Sequence, residues 1–457
     1  MSDRRRVLAI VLTLVVLGLA SMPAAAAQPR AFVSPQVALD WNLNAVNVVR
    51  AFKWPTTGAA YFQTEGLIYM SYVEAAVYDA VMKISGRYVL YHSFTADPAG
   101  ASADAAVIAS AYRTLLHYQG DVVVDGTSLT AKYDAALAAL PAAGKAQGIA
   151  VGEAAASDLI ALRANDGRNG VGTNCPYTPS PLAAGVWQPP AAGAQTPWVA
   201  CMTPFLLRKA SQFRLGPPPA VGSSDYARDL NEVQSYGALH STVRTADQTA
   251  IAYFWNANVI NQQNQALRDT ATKHHLDLVD TVRLLAMGEL VATDAAIACF
   301  DSKYHYLFWR PVTAIQHADI DGNPATVADP TWAPLLNTPN HPEYPSAHGC
   351  VTSAFGTALA IALHTEHIDL DMMGATNGGT TLTATRHFAT VEDLTSQNVD
   401  ARVWIGFHYR NSVVKGVDLG THVASWALER FFGRAHGDDH QGDDDSQSGG
   451  EHGDHER

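Results

Sequence analysis

Charge is scarce in this chain: 16% of its 457 residues are Asp, Glu, Lys or Arg, against 47% that are hydrophobic. So little charge on so long a chain implies a large buried core, either two fused helical lobes or one large bundle. Nine Trp and 9% aromatic residues exclude disorder over most of the length. Excess positive charge is also lacking. The formal net charge is −13, which excludes a general nucleic-acid surface while leaving room for a local basic pocket. The last 23 residues, 435–457, hold six Asp, two Glu and one Arg, so the body is only mildly acidic. Cysteine is rarer still. Cys175, Cys201, Cys299 and Cys350 are too widely spaced for a zinc knot. Cys175 and Cys201 share a Pro/Gly-rich loop and are candidates to pair in an oxidising compartment. Cys299 and Cys350 sit in apolar helical contexts and read as free core residues.

Long hydrophobic runs are nearly absent. Val7–Leu19 is preceded by Arg4, Arg5 and Arg6 and followed by Ala25, Ala26 and Ala27, the pattern of an export signal over residues 1–27. It is too short for a confident membrane span, and so is the apolar run Val351–Leu363, which reads as a buried helix. The mature chain is therefore expected outside the cytoplasm, secreted or periplasmic by a general or twin-arginine route, without membrane insertion.

Strand signals are few and there is no internal repeat. Helical spacing predicts helices over Glu65–Met82, Ser102–Tyr118, Ala131–Leu140, Lys145–Ala164, Tyr226–Leu239, Ala246–Trp255, Leu276–His305, Ala347–His364 and His408–Phe432. Asp294 interrupts one of them on a face that should be buried. A loop dense in Pro and Gly separates Asn165 from about Ser223. After Arg434 the composition shifts to Gly, Asp, His and Ser, which cannot bury enough apolar surface to fold. The expected organisation is an all-α domain over 28–434, a large helical bundle, between a signal segment and an acidic, His-rich tail at 435–457.

Three segments carry chemistry. In Lys303-Tyr-His-Tyr-Leu-Phe-Trp-Arg310-Pro311 the two cations are seven apart, two turns along one helix face. On an apolar, aromatic-rich face they call for an anion, although the same pair fits an amphipathic helix whose cations snorkel to water. In Glu343-Tyr-Pro-Ser346-Ala347-His348 a helix start follows proline, leaving outward N–H groups suited to an oxyanion. The Ser346 hydroxyl adds a donor and His348 a proton carrier; an ordinary helix start with a partly exposed His fits as well. In Arg402-Val-Trp-Ile-Gly-Phe-His408 the two ends share no face of a straight helix. They converge if a helix starts near Gly406 and Arg402 reaches in from the preceding turn. Together these residues supply what a tetrahedral oxyanion needs: two guanidinium forks, an ammonium, a helix start and two imidazoles.

The pattern K-x6-R-P, P-S-x-H and R-x5-H resembles the vanadium-dependent haloperoxidases and the related type 2 phosphatidic acid phosphatase superfamily. The resemblance extends to Val73-Glu-Ala-Ala-Val-Tyr-Asp79, Ala210-Ser-Gln-Phe-Arg214 with the triple proline after it, Asp301–Ile315 and Asn340–His348, so it spans nearly the whole mature chain. It implies a vanadate cofactor with His408 as its direct protein ligand. Lys303, Arg310 and Arg402 would face its oxygens, with Ser346 and the N–H of Ala347 donating to others and His348 moving a proton. The implied reaction oxidises halide with hydrogen peroxide to hypohalous acid, with a small organic acceptor as a further partner. The same cage also suits a secreted acid phosphatase acting on a phosphate ester through a phosphohistidine at His408, or a protein that binds an oxyanion or metal without turnover.

Two departures stand out. Ala347 replaces a usual Gly, which keeps the backbone N–H but narrows the space beside it. Ser412 stands where many relatives have an Asp that orients the histidine. That weakens His408 as a nucleophile unless another acid, such as Asp294 or Asp301, takes the place. His341, His348 and Glu343 match no common zinc spacing. His305 and His317 read as core or surface residues. The tail histidines His436, His440, His452 and His455 read as part of a solvated segment before a divalent-metal site.

Overall fold

The computed structural model describes residues 34–435 except 55, 56, 171–176, 179 and 192. The expected signal segment 1–27 and the tail from His436 onward lie outside the described residues, as does Cys175. Thirteen α-helices run through the described part: α1 Gln36–Ala51, α2 Gln63–Ser85, α3 Ala103–Gln119, α4 Leu129–Ala139, α5 Lys145–Leu162, α6 Ser224–Tyr236 and α7 Ala246–Phe254 come first. They are followed by α8 Val259–Lys273, α9 Leu278–Tyr306, α10 Pro311–Gln316, α11 Ala347–Leu363, α12 Val391–Trp404 and α13 Arg410–Leu428. Two small antiparallel hairpins complete the fold, β1 Val123–Val124 with β2 Thr127–Ser128, and β3 Leu370–Gly374 with β4 Ala384–Phe388. The protein is an all-α bundle, as its spacing predicts, and each predicted helix appears within a few residues of its expected ends.

Three longer helices, α1, α8 and α12, were not expected, and each buries polar side chains among its apolar ones. On α1, Asn42 donates to Glu74 Oε1 at 2.9 Å and to Asn264 Oδ1 at 2.6 Å. On α8, Asn264 donates to Glu289 Oε1 at 2.6 Å. Helix α12 is announced only by its cap, where Thr390 and Asp393 form a reciprocal capping box. The hairpin β3–β4 was not expected either, and its edge positions alternate between buried and exposed.

Helices α2 and α9 are apolar on nearly every side and form the centre of the bundle. The interruption at Asp294 has a use. Its carboxylate accepts the backbone N–H groups of Phe205, Leu206 and Leu207 at 2.6, 2.7 and 2.7 Å, pinning the Pro/Gly-rich loop to α9. That loop contains only three short 3₁₀ turns among its described residues. Cys201 is disulfide-bonded. Cys299 and Cys350 are free and buried, as the sequence predicts.

The N-terminus of α11 packs on α13 backbone against backbone. A Cβ at Gly416 would lie 2.6 Å from Ser346 O, and one at Gly420 only 1.9 Å from Cys350 O. Neither contact is a flexible side-chain end, so the helices must separate to admit a methyl group. Gly420→Ala should therefore lower stability by about 1–3 kcal/mol, as overpacking does, and a thermal melt reads the loss directly.

Glu74 and Glu289 are buried without a fully paired cation, and burial raises their pKa values to about 7 and about 8. The native state thus keeps protons that the unfolded chain releases near pH 4.3. This contribution to stability is complete below that pH and is lost as pH rises through 7 to 8. Glu289→Gln keeps the acceptor used by Asn264. The variant should melt above the parent protein at pH 8.5 and level with it at pH 5; equal melts at both values would show that the carboxylate carries no such cost.

Candidate functional site

The two cations predicted on one helix face are instead separated by a corner. Lys303 lies in the last turn of α9, Leu307 takes a left-handed conformation with φ of 48°, and Arg310 caps α10 ahead of Pro311. The corner turns both side chains inward, where a straight helix would have stacked them two turns apart. Lys303 is fully buried, and its Nζ donates to the carbonyls of Pro342 at 3.0 Å and Glu343 at 2.8 Å. Arg310 Nε donates to His341 O at 2.8 Å and its Nη1 to Phe407 O at 3.0 Å. That same Nη1 is 3.2 Å from His408 Nε2, and Nη2 is 3.0 Å from His341 Nδ1. The snorkelling alternative is overturned for both cations.

Ser346 is the N-cap of α11 but its side chain caps nothing. Its Oγ is buried without a hydrogen-bond partner, and so is His348 Nε2 two residues further on. The Ser346 backbone is held from behind, its N–H donating to Ser412 O at 3.0 Å. With Ala347 as the first helical residue, the unpaired N–H groups of α11 and the positive end of its dipole meet at this point.

Arg402 and His408 converge by a route the spacing misplaced. Arg402 belongs to the last turn of α12, and His408 sits in the short connection to α13 rather than in a helix starting near Gly406. Gly406 makes the turn with φ of 85°, and a Cβ there would lie 2.6 Å from Gly237 O. Arg402 Nη1 donates to Trp255 O at 3.2 Å, its Nε has no partner, and its guanidinium lies 5.0 Å from the centre of the Phe407 ring.

Neither Asp294 nor Asp301 orients His408. Asp294 is spent on the loop described above, and Asp301 accepts Arg214 Nε and Nη2, both at 2.7 Å. The carboxylate comes from Glu343, whose Oε1 is 2.8 Å from His408 Nδ1 and also accepts the N–H of Tyr409 at 3.2 Å. Glu343 is fully buried. A neutral His408 therefore donates from Nδ1 and turns the Nε2 lone pair toward Arg310. Glu343 was visible in the sequence as an acid three residues before Ser346, but only the fold brings it to His408. His341 is the other residue that spacing left out: it is buried, packs on Phe300 with ring centres 5.2 Å apart, and lines the cavity. His305 lies at the surface beside Arg214, and His317 is half-buried away from the cage.

Ala347, His348, Arg402, His408 and His341 line a cavity of about 70 Å³ whose walls include Phe62, Leu67, Val351 and Phe407. Burial pushes Lys303 down to about 8, Arg402 to about 9 and Arg310 to about 10. For Arg402 the neighbouring Arg310 adds to the effect. Burial and the adjacent cations hold His348 and His408 well below the usual imidazole range, hence neutral. Burial raises Glu343 to about 7 against the pull of Lys303 and Arg310. Three buried cations facing one carboxylate are costly alone and suited to an anion. The unpartnered Ser346 Oγ and Arg402 Nε are donors that a tetrahedral oxyanion satisfies, and the unpartnered His348 Nε2 stands beside them as a site for proton exchange.

Residues 283–437 match the family model of the VCPO second helical-bundle domain. Vanadium chloroperoxidase of Curvularia inaequalis is 26% identical over 279 residues, covering 46% of this chain and 44% of that protein. The chain thus spans less than half the length of this curated relative. The fold is similar to a crystal structure of a bacterial vanadium-dependent iodoperoxidase, with a TM-score of 0.72 and 20% identity over 88% of this chain and 97% of that one. It is also similar to a holo-type bacterial vanadium-dependent chloroperoxidase, with a TM-score of 0.65 and 20% identity over 83% and 94%.

An oxyanion that fills the cage should stabilise the fold. At a hundred times its dissociation constant, orthophosphate should add about 2.7 kcal/mol, seen as a rise in melting temperature that chloride at equal ionic strength does not produce. Arg402→Ala should abolish most of that rise.

Proposed function

We propose that this chain, a member of the vanadium-dependent haloperoxidase family, holds vanadate in the cage and uses hydrogen peroxide to oxidise halide to hypohalous acid. The observation that carries this reading is the convergence of Lys303, Arg310 and Arg402 with the unpartnered Ser346 Oγ and His348 Nε2 around the Nε2 face of His408. The cage residues match an oxyanion of vanadate's charge and donor needs. When bound, vanadate supplies a Lewis-acid centre that activates peroxide without changing oxidation state.

His408 Nε2 would be the protein ligand, with Glu343 on Nδ1 fixing the tautomer that leaves Nε2 free. Lys303, Arg310 and Arg402 would offset the oxyanion's charge, and Ser346 Oγ with the Ala347 N–H would donate to it. His348, neutral by burial, takes a proton at Nε2 from incoming hydrogen peroxide and returns it to the departing oxygen. The apolar walls Phe62, Leu67, Val351 and Phe407 limit water around that exchange and offer a surface for a small organic acceptor. The mature protein acts outside the cytoplasm, a reading that rests on the signal pattern of residues 1–27.

One observation favours a second reading. The Glu343–His408 pair supplies the carboxylate whose apparent absence argued against a phosphohistidine route, so hydrolysis of a phosphate ester by nucleophilic His408 keeps physical support. Metal-stripped protein, with and without orthovanadate, decides between them when assayed for peroxide-dependent dye bromination and p-nitrophenyl phosphate hydrolysis. Bromination only with vanadate, falling to background in His408→Ala, is the expected outcome. Phosphate-ester cleavage without vanadate, inhibited by adding it, would overturn the haloperoxidase reading. Arg402→Ala should weaken vanadate binding about ten- to a hundredfold, the equivalent of about 1.5–3 kcal/mol for a hydrogen bond to a charged group.

A further inference from the structure

Three parts of the cage, Arg402, Phe407 O and His408, come from one short segment: the end of α12 and its connection to α13. The corner of that segment lies backbone against backbone on the end of α6. A Cβ at Gly237 would stand 2.6 Å from Gly406 Cα and 3.0 Å from Val403 O. Helices α6 and α12 therefore end beside one another, at Tyr236 and Trp404. The last carbonyls of a helix have no intrahelical partner and carry the negative end of its dipole. Two such ends brought together repel unless a cation stands between them.

Arg244, in the loop between α6 and α7, is that cation. Its Nη1 donates to Tyr236 O, to Ala238 O at 2.9 Å and to Trp404 O at 3.2 Å. Its Nε donates to Thr249 Oγ1 on α7 at 3.0 Å. The loop that carries it is tied down as well: the Arg244 N–H donates to Ser241 Oγ at 3.0 Å, and that hydroxyl donates to Ser235 O at 2.7 Å. Among the described residues, three side chains bond to the backbone of 404–409. Arg310 holds Phe407 O, Glu343 holds the Tyr409 N–H, and Arg244 holds Trp404 O. The first two belong to the cage. Arg244 does not line its cavity, so it holds the segment from outside.

We propose that Arg244 is a positioning residue of the cage: by joining the ends of α6 and α12 it sets the corner at Gly406, and with it the approach of Arg402 and His408 to the oxyanion. Arg244 acts through the backbone and does not touch the oxyanion. The proposal rests on the reading of the cage as a vanadate site. One guanidinium nitrogen shared among three carbonyls binds by charge as much as by direction, so an ammonium at this position should replace part of its effect.

Vanadate titration of the metal-stripped protein, well below the melting temperature of each variant, tests the role. Arg244→Met keeps the apolar stem and removes the donors; its affinity should fall about tenfold, in the range for groups that support a ligand from behind. Arg244→Lys should stay within about threefold of the parent protein. Arg87→Ala is the control for stability alone, because it breaks the ion pairs with Asp277 and Asp280 and lines no part of the cavity. It should melt lower and bind vanadate as the parent does. The ¹⁵N resonances of the His408 ring should move in Arg244→Met and stay in place in Arg87→Ala. If Arg244→Met does not fold, Arg244→Gln takes its place with the same expected loss. A lower melting temperature with parent-like affinity and an unmoved His408 ring in the Arg244 variant makes Arg244 a stabilising residue only and overturns the positioning role. So does Arg244→Lys weakened as much as Arg244→Met, since the charge would then count for nothing. A parent protein that binds neither vanadate nor orthophosphate overturns the cage reading itself, and the positioning role with it.

Discussion

Three buried cations, Lys303, Arg310 and Arg402, share one cage with a single carboxylate, and most of the irregular structure around them exists to make that tolerable. Each would be strongly unfavourable in an apolar interior by itself. The fold answers with backbone carbonyls: Pro342 and Glu343 toward Lys303, His341 and Phe407 toward Arg310, and Trp255 toward Arg402. Carbonyls aimed this way come from chain that is not helical. That is why the segments 307–310, 339–346 and 405–409 break an otherwise helical molecule at the same place. The dipoles lower the cost without neutralising the charge, which leaves the cage suited to an anion.

Buried carboxylates are managed differently at different sites in the same core. Asp294 takes three backbone N–H groups and ties a long loop down; burial still raises it to about 6. Glu74 and Glu289 meet only amide side chains and a distant Arg268, and rise further. Glu343 faces two cations and a histidine N–H on one side and the Ser412 hydroxyl and Tyr409 N–H on the other. The gradation follows how well each environment stabilises the charged form.

Much of the bundle was legible because its core helices are built from apolar residues at helical spacing, and α2 and α9 show it most plainly. Helices α8 and α12 were not, because Gln262, Gln263, Asn264, Asn398 and Arg402 occupy positions where the pattern looks for apolar side chains. The cage residues were legible as types, since an oxyanion demands cations, donors and imidazoles whatever the fold. Their geometry was not. The seven-residue spacing of Lys303 and Arg310 suits a helix face, and nothing local to Leu307 or Gly406 reveals that both links are corners. Glu343 was not legible as the partner of His408, because the two are 65 residues apart and no local spacing joins them.

The sequence by itself determined the class of the fold, the identity of the cage residues and the anion chemistry they imply, because hydrophobic periodicity and side-chain charge are local properties. Only the tertiary structure decided which acid serves His408 and that Arg402 enters from the end of α12. Those are matters of which non-helical segments meet in space. Contacts between residues tens to hundreds of positions apart are set by how α9, α11 and α13 pack, and a closely packed core admits few such arrangements.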